Sequence, residues 1–445
     1  MNLNYDKKVK FYTLGCKVNQ YETEASMEIF ENEGYSVVEG NNPADVYVIN
    51  TCTVTSLSDS KSRQIIRKSK RENPESTMIV MGCYSQVSSK EVEDIEGVDI
   101  VIGTTERSKI VDLVNEYRDK REKINIVRDI KKDKFFQPID IKKIKNMTRA
   151  YIKVQDGCNR YCSYCIIPYA RGNIRSRDPI DVKNEVIKLA SNNYKEIILT
   201  GIHIASYGKD LEDFSLIDLI KSIHDVDGIE RIRLSSVEPR LITEEFLNEL
   251  IKLTKFCDHF HLSLQSGSET VLKRMNRKYT SKEYIEKVNL IRSYYKDAGI
   301  TTDIIVGFPG ESEDEYRETV ELVKEVGFSR VHVFKYSPRK GTPAAKMPDQ
   351  IHGDIKNFRS KDLIELTDNL RENFERSFTN KTVPILVERK SKDLYIGHST
   401  NYMEIAFKSN KDYTNTIVNV IIDDYKDGTL IGTLKGEYDD WLYIL

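Results

Sequence analysis

DGCNRYCSYCIIPYARGNIRSR, residues 156–177, sets Cys158, Cys162 and Cys165 at a C-x3-C-x2-C spacing. A structural zinc ion takes four protein ligands, and ferredoxin-type motifs supply four cysteines to each cluster. A compact trio with no fourth cysteine beside it points instead to a four-iron cube in which one iron lacks a protein ligand. That iron is open to a small molecule, so the stretch reads as a reactive centre and the rest of the chain as its frame.

The spacing, with Tyr164 just before the last cysteine, resembles the signature of the radical S-adenosylmethionine (SAM) enzymes. The resemblance implies a 4Fe-4S cluster on the three cysteines, SAM chelated to the open iron, and Tyr164 near the adenine. Taken alone, Tyr164 also fits an ordinary packed ring. Downstream, strand-like runs YIKVQ, EIILTG, IRLSS, HFHLSLQ, TDIIVG and RVHVFKY alternate with helical patterns, such as 180–190 and 281–298. Eight such units would close a full barrel; six predict a partial (βα)6 barrel like that of radical SAM enzymes, with the cysteine loop at its carboxyl-terminal mouth. The other strand ends are polar: Thr200 and Gly201, Ser236 and Glu238, Gln265 with Ser266 and Gly267, and Asp303. By resemblance these surround SAM, although Gly, Ser and Gln at strand ends also serve turns. His203 and His261 read as structural residues.

Upstream, VKFYTL, VYVIN, MIVM and DIVIG alternate with helical segments over 21–32 and 59–71 and a short one near Glu91, which predicts a parallel sheet covered by helices. Three strands run straight into Cys16, Cys52 and Cys83, 36 and 31 residues apart. Ligands bind at the carboxyl edge of such sheets, so these cysteines are expected to converge. Free cysteine also packs as a small hydrophobe, but recurrence at three equivalent strand ends favours a shared site. LGCKVNQYET, NTCTVT and MGCYSQ resemble the N-terminal domain of the methylthiotransferases, a branch of the radical SAM enzymes, in which this trio binds a second 4Fe-4S cluster. The remaining Cys257 reads as a core residue.

Residues 120–147, with their charge runs, are expected to link an N-terminal domain (7–119) to the radical SAM core (148–377), with Phe135 and Phe136 candidates to dock on a domain. From 378 to 445, short strands separated by turns predict a small all-β barrel similar to the TRAM domain of tRNA-modifying methylthiotransferases. It carries eight Lys or Arg against ten Asp or Glu, so RNA binding there needs its cations, such as Arg389, Lys390 and Lys408, gathered on one face. KSRQIIRKSKR, residues 61–71, has six cations and no acid, and reads either as a solvated helix face or as a phosphate contact.

The whole chain, 445 residues, is long enough for about two to four domains. Lys and Arg total 68 against 70 Asp and Glu, which excludes a global attraction to nucleic acid. Seven cysteines, no apolar leader in MNLNYDKKVK and no membrane-length apolar run predict a cytoplasmic protein with no membrane partner and with reduced thiols. Within the family the chain is most similar to enzymes acting on N6-threonylcarbamoyladenosine beside the tRNA anticodon. The resemblance implies SAM, two 4Fe-4S clusters, tRNA, an external electron donor and a sulfur source. Arg171, Arg175 and Arg177 are candidates to clamp a substrate phosphate or carboxylate, or to brace the loop against acidic neighbours, with Arg171 or Arg175 the choice for the threonyl carboxylate. The alternatives are a methylthiotransferase acting on isopentenyladenosine tRNA or a ribosomal protein, and a non-enzymatic metal-containing RNA-binding protein.

Overall fold

In the computed structural model, which describes residues 7–137 and 148–436, the first six strands all run parallel. They are β1 (Lys7–Thr13), β2 (Tyr35–Val37), β3 (Val46–Thr51), β4 (Thr77–Gly82), β5 (Ile100–Val101) and β6 (Ile124–Asn125), in the order β2-β1-β3-β4-β5-β6. β3 and β4 are buried at every residue, as central strands covered on both faces must be. Thr13 pairs with Asn50 and Thr51 with Gly82, so β1, β3 and β4 end side by side and their cysteines share one edge.

The expected linker is not free connector throughout. Ile124 and Asn125 pair with Ile100 and Val101, and Ile124 and Ile126 pack on the sheet core, because apolar residues follow the charged run. Phe136 lies under Lys153 while Phe135 is exposed. Residues 138–147 of that expected linker, and 437–445 of the expected terminal domain, lie outside the described residues.

The second unit comprises β7 (Arg149–Asp156), β8 (Arg175–Ser176), β9 (Glu196–Gly201), β10 (Arg231–Leu234), β11 (His259–His261), β12 (Gly299–Val306) and β13 (Arg330–Lys335). β7, β9 and β10 form one parallel run and β11, β12 and β13 another, joined by parallel bridges Ile232–Phe256 and Val237–Leu262. The six predicted strands thus curve in chain order as an open barrel, with β8 antiparallel on the edge beside β7. The apolar core of this barrel includes Tyr21 and Ala25 from the N-terminal helix Lys17–Asn32, so the two domains are packed as one body.

After the helix Gly353–Arg376 come β14 (Thr382–Ser391), β15 (Leu394–Ser399), β16 (Glu404–Lys408), β17 (Ile417–Lys426) and β18 (Thr429–Leu434), closed into a barrel in the order β14-β15-β16-β18-β17. It sits on the amino-terminal ends of the core strands. Arg149 pairs with Glu388 at 3.1 Å, Arg231 donates to the carbonyls of His398 and Pro384, and Arg233 to those of Thr400 and Ser399. The cysteine loop lies at the other end of β7, about 23 Å away at ~3.3 Å per residue. No helix of the described residues is long and apolar enough to cross a membrane.

Candidate active site

The upstream trio is brought together by backbone geometry. Gly15 has φ +102°, and a Cβ there would lie 2.7 Å from Cys52 Cβ and 2.9 Å from its sulfur, so only glycine lets the end of β1 press against Cys52. Cys16 is exposed, whereas Cys52 and Cys83 are buried. Asn19 fastens the turn: its amide donates to the carbonyls of Leu14 and Thr51, at 2.7 and 2.9 Å, and its oxygen lies 3.9 Å from Cys16 Sγ. Burial pushes the Cys83 thiol up to about 12, against the opposing pull of Arg171, whose Nε donates to Cys83 Sγ at 3.3 Å.

Arg171 belongs to a buried charge cluster between the domains. Its Nη2 donates to Glu22 Oε2 at 2.9 Å and to Asn19 Oδ1 at 2.7 Å, and Nη1 also pairs with Glu22. Lys153 reaches Glu22 at 2.7 Å and Asp156 at 2.5 Å; Arg107 Nη2 is 2.9 Å from Glu22, and Arg175 is 3.6 Å from Asp156. Burial alone would raise the Glu22 carboxyl, but Arg107, Arg171 and Lys153 hold it at about 2. Two carboxylates face four cations, and of these cations Arg171 is the one that reaches Cys83. Arg177 is equally buried, bound to Glu185 and to the hydroxyl of Tyr21. Of the two roles expected for these arginines, the contacts are those of bracing: Arg171 and Arg177 bind residues of the N-terminal helix, and Arg175 binds the carbonyls of Asn173 and Arg171 in its own loop.

The downstream trio is shaped by Gly157, φ +72°, where a Cβ would sit 1.7 Å from the carbonyl oxygen of Asn173. Cys158 N donates to Gly172 O and Cys165 N to Cys162 O, both at 3.0 Å, while Ser163 is tied to the backbone of Met275 and Arg274. Burial raises the Cys165 thiol to about 12, and the neighbouring Cys162 adds to it. Arg277 Nη1 donates to Cys162 Sγ at 3.4 Å, so each trio has one arginine N–H directed at a cysteine sulfur. No motif marks Arg277 in NRKYT, and sequence reading missed it.

The strand-end residues divide into two groups. Glu238 accepts from Arg160 of the cysteine loop and lies 3.4 Å from His203; burial raises its carboxyl, but His203 and Arg160 hold it at about 2. Asp303 lies 3.2 Å from His261, so both histidines face acids of the mouth. Gln265, with φ +72°, hydrogen-bonds through its backbone to Asp303 and Ile305. Thr200 is buried, Gly201 packs on Gln155, and Ser236 is exposed. Ser266 and Gly267 point elsewhere: both contact Thr319 of helix Glu313–Val326, where a Cβ on Gly267 would come within 2.6 Å of the backbone. Cys257 is fully buried in the core.

A cleft of about 210 Å³ joins the halves. Tyr164, Cys165, Gln265 and Asp303 line it from the barrel domain, and Val54 and Thr55, just past Cys52, from the N-terminal domain. Tyr164 borders the cleft and packs on the cluster of Val271, Met275 and Phe308.

Each trio offers three cysteine sulfurs and no fourth cysteine, a donor set that fits an iron-sulfur cube with one iron lacking a protein ligand. A cubane spaces its cysteines on different irons, and N–H donors to the sulfurs are among the interactions that set its potential.

Comparison with known proteins agrees with this geometry. Residues 152–323 match the Radical SAM superfamily, and residues 8–103 match Uncharacterized protein family UPF0004. The chain is 43% identical to threonylcarbamoyladenosine tRNA methylthiotransferase MtaB of Bacillus subtilis (strain 168), over 96% of this chain and 97% of that protein. It is 36% identical to tRNA-2-methylthio-N(6)-dimethylallyladenosine synthase of Clostridium tetani, over 96% and 95%. In fold it is similar to the radical SAM methyltransferase TsrM of Kitasatospora setae, with a TM-score of 0.56 at 16% identity, covering 76% of this chain and 77% of the other. With two cysteine trios and 43% identity to one of these enzymes over nearly the full length of both chains, the chain belongs to the radical SAM methylthiotransferase family.

Proposed function

We propose that this chain is a tRNA methylthiotransferase that places a methylthio group on C2 of N6-threonylcarbamoyladenosine beside the anticodon. The observation that carries this is a cleft lined both by Cys165 and by Val54 and Thr55 just past Cys52, which supports one nucleoside lying between the two cysteine loops. When bound, two 4Fe-4S clusters and SAM supply the radical that activates an aromatic carbon and the sulfur that is delivered to it. Cys158, Cys162 and Cys165 hold one cluster and Cys16, Cys52 and Cys83 the other. Tyr164, Gln265 and Asp303 border the space for SAM and the nucleoside, Glu238 stays ionised at the mouth, and Ile166, Ile305 and Phe334 restrict water.

With the three buried arginines engaged elsewhere, the cation offered to the threonyl carboxylate is Lys335 on the cleft wall, 2.8 Å from Asn357. An external electron donor and a sulfur source complete the reaction, and the setting is cytoplasmic. The dimethylallyladenosine reading is favoured by the largely apolar cleft wall, but an apolar substituent has no use for Lys335.

The test is mass spectrometry of tRNA nucleosides from a deletion strain. Loss of the 2-methylthio form, with threonylcarbamoyladenosine retained, is expected; an unchanged 2-methylthio level overturns the assignment. Anaerobic reconstitution should give about eight irons per chain and SAM-dependent 5'-deoxyadenosine, whereas redox-silent zinc would contradict an enzyme.

A further inference from the structure

The helix Ser56–Glu72 begins at the cleft and carries a cationic stripe away from it. Val54 and Thr55 line the cleft, and Ser56 is bonded to Ser337 on the same wall. Asp59, Ser62, Ile66 and Ser69 face inward. At 3.6 residues per turn, Leu57, Lys61, Lys68 and Arg71 fall on the opposite face with Arg67 at its margin, and all are exposed. The other two cations of the run are engaged: Arg63 with Tyr84 and Glu91, Lys70 with Asp99 and the carbonyl of Ser76. Lys61, Arg67 and Arg71 have no carboxylate partner among the described residues, and Lys68 has only Glu72, at 3.7 Å.

A solvated helix face explains charge but not this arrangement. The exposed cations lie on one side of the helix, span about 15 Å from Lys61 to Arg71 at ~1.5 Å per residue, and lead away from the cleft-lining Val54 and Thr55, near which Leu57 and Phe334 are exposed. The terminal barrel is a poorer candidate near the cleft. It sits at the far end of the core strands, is acidic on balance, and its Arg389 is paired with Glu404 at 3.3 Å.

We propose that this stripe is the docking surface for the base-paired stem of the RNA substrate. Phosphates run along Lys61, Arg67, Lys68 and Arg71 while the target nucleoside of the adjoining loop enters past Leu57 and Phe334. This rests on the tRNA reading above.

The test uses the full chain and a synthetic stem-loop RNA, with affinity measured by anisotropy across a salt series. For Lys61→Ala/Arg67→Ala/Arg71→Ala the slope of log affinity against log salt should shrink by about 2 to 2.7, at ~0.7–0.9 per phosphate contact. Affinity at 0.15 M salt should fall about 100-fold, taking the proteins as equal near 1 M. Arg389→Ala/Lys390→Ala should change the slope by less than about 0.5. Equal thermal midpoints establish that the triple variant is folded. If the wild type binds and the triple variant keeps its slope, the stripe is refuted and the tRNA reading stands. If the wild type does not bind the RNA, both fail. If poly-glutamate competes as well as the stem-loop, RNA is refuted as the occupant.

Discussion

Replacing Glu22 with Gln removes the negative centre on which Lys153, Arg107 and Arg171 converge, at 2.7, 2.9 and 2.9 Å. The side chain is 1% exposed, so no water compensates the stranded cations. Removing one partner of a buried ion pair costs about 3–5 kcal/mol. The carboxyl gives a similar figure: held at about 2 against 4.5 in the unfolded chain, it contributes about 3 kcal/mol at ~1.36 kcal/mol per pH unit. Because the N-terminal helix shares the barrel core, the two domains should unfold together. At ~2.1 cal/mol/K per residue over roughly 370 residues, the expected fall in Tm is about 4 to 6 °C. The carboxyl is lowered in the folded state, so its contribution is complete above about pH 4.5 and fades as the pH falls towards 2. The variant should therefore lose part of the acid dependence of stability between those limits. Anaerobic scanning calorimetry from pH 7 to pH 3 measures both effects. A Tm change below about 1 °C with an unaltered acid limb would refute the idea that this carboxylate locks the domains.

Cys83→Ala should lower iron from about eight to about four per chain, leave SAM-dependent 5'-deoxyadenosine measurable and abolish methylthiolation; retained methylthiolation would contradict the second-cluster role. Gly157→Ala drives a methyl group against the Asn173 carbonyl and should remove the downstream cluster and 5'-deoxyadenosine formation together, as read by iron analysis and chromatography. Arg277→Gln exchanges a charged N–H donor to Cys162 for a neutral one; a loss of about 1 kcal/mol corresponds to a midpoint about 40 mV lower, to be read by potentiometric electron spin resonance. Lys335→Ala should raise KM for threonylcarbamoyladenosine tRNA about tenfold with kcat within twofold, the loss of a charge-assisted hydrogen bond; an unchanged KM removes Lys335 from substrate recognition.

The parts legible in the sequence are those governed by local period and spacing. Strand-then-helix alternation located the six core strands, and a cysteine directly after each of three apolar runs forecast one shared sheet edge. Long-range partnership was not legible. Glu22 lies in YETEAS, where an acid on a helix reads as solvent-facing, and only the barrel packed over it makes it buried. Arg171 and Arg177 follow a metal motif and so suggested substrate, but their burial depends on a domain more than a hundred residues upstream. Arg277 has no local pattern at all. In YIGHSTNYMEIAF the break between β15 and β16 falls near Tyr402, at φ +74°, a residue type that rarely adopts that conformation. Its ring is stacked between His259 and His398, at 4.7 and 4.8 Å, so tertiary packing sets the turn.

The interdomain charge cluster also imposes an order on biosynthesis. When the N-terminal sheet leaves the ribosome, Glu22 has Arg107 as its counter-charge, while Lys153 and Arg171 have yet to be translated. At ~5–20 residues per second, the 64 residues from Arg107 to Arg171 take about 3 to 13 s. During that interval the three strand-end cysteines lack both the N–H donor to Cys83 and the covering barrel. The edge that carries Cys16, Cys52 and Cys83 is thus finished by the segment that carries Cys158, Cys162 and Cys165, and a prematurely terminated chain leaves that pocket incomplete.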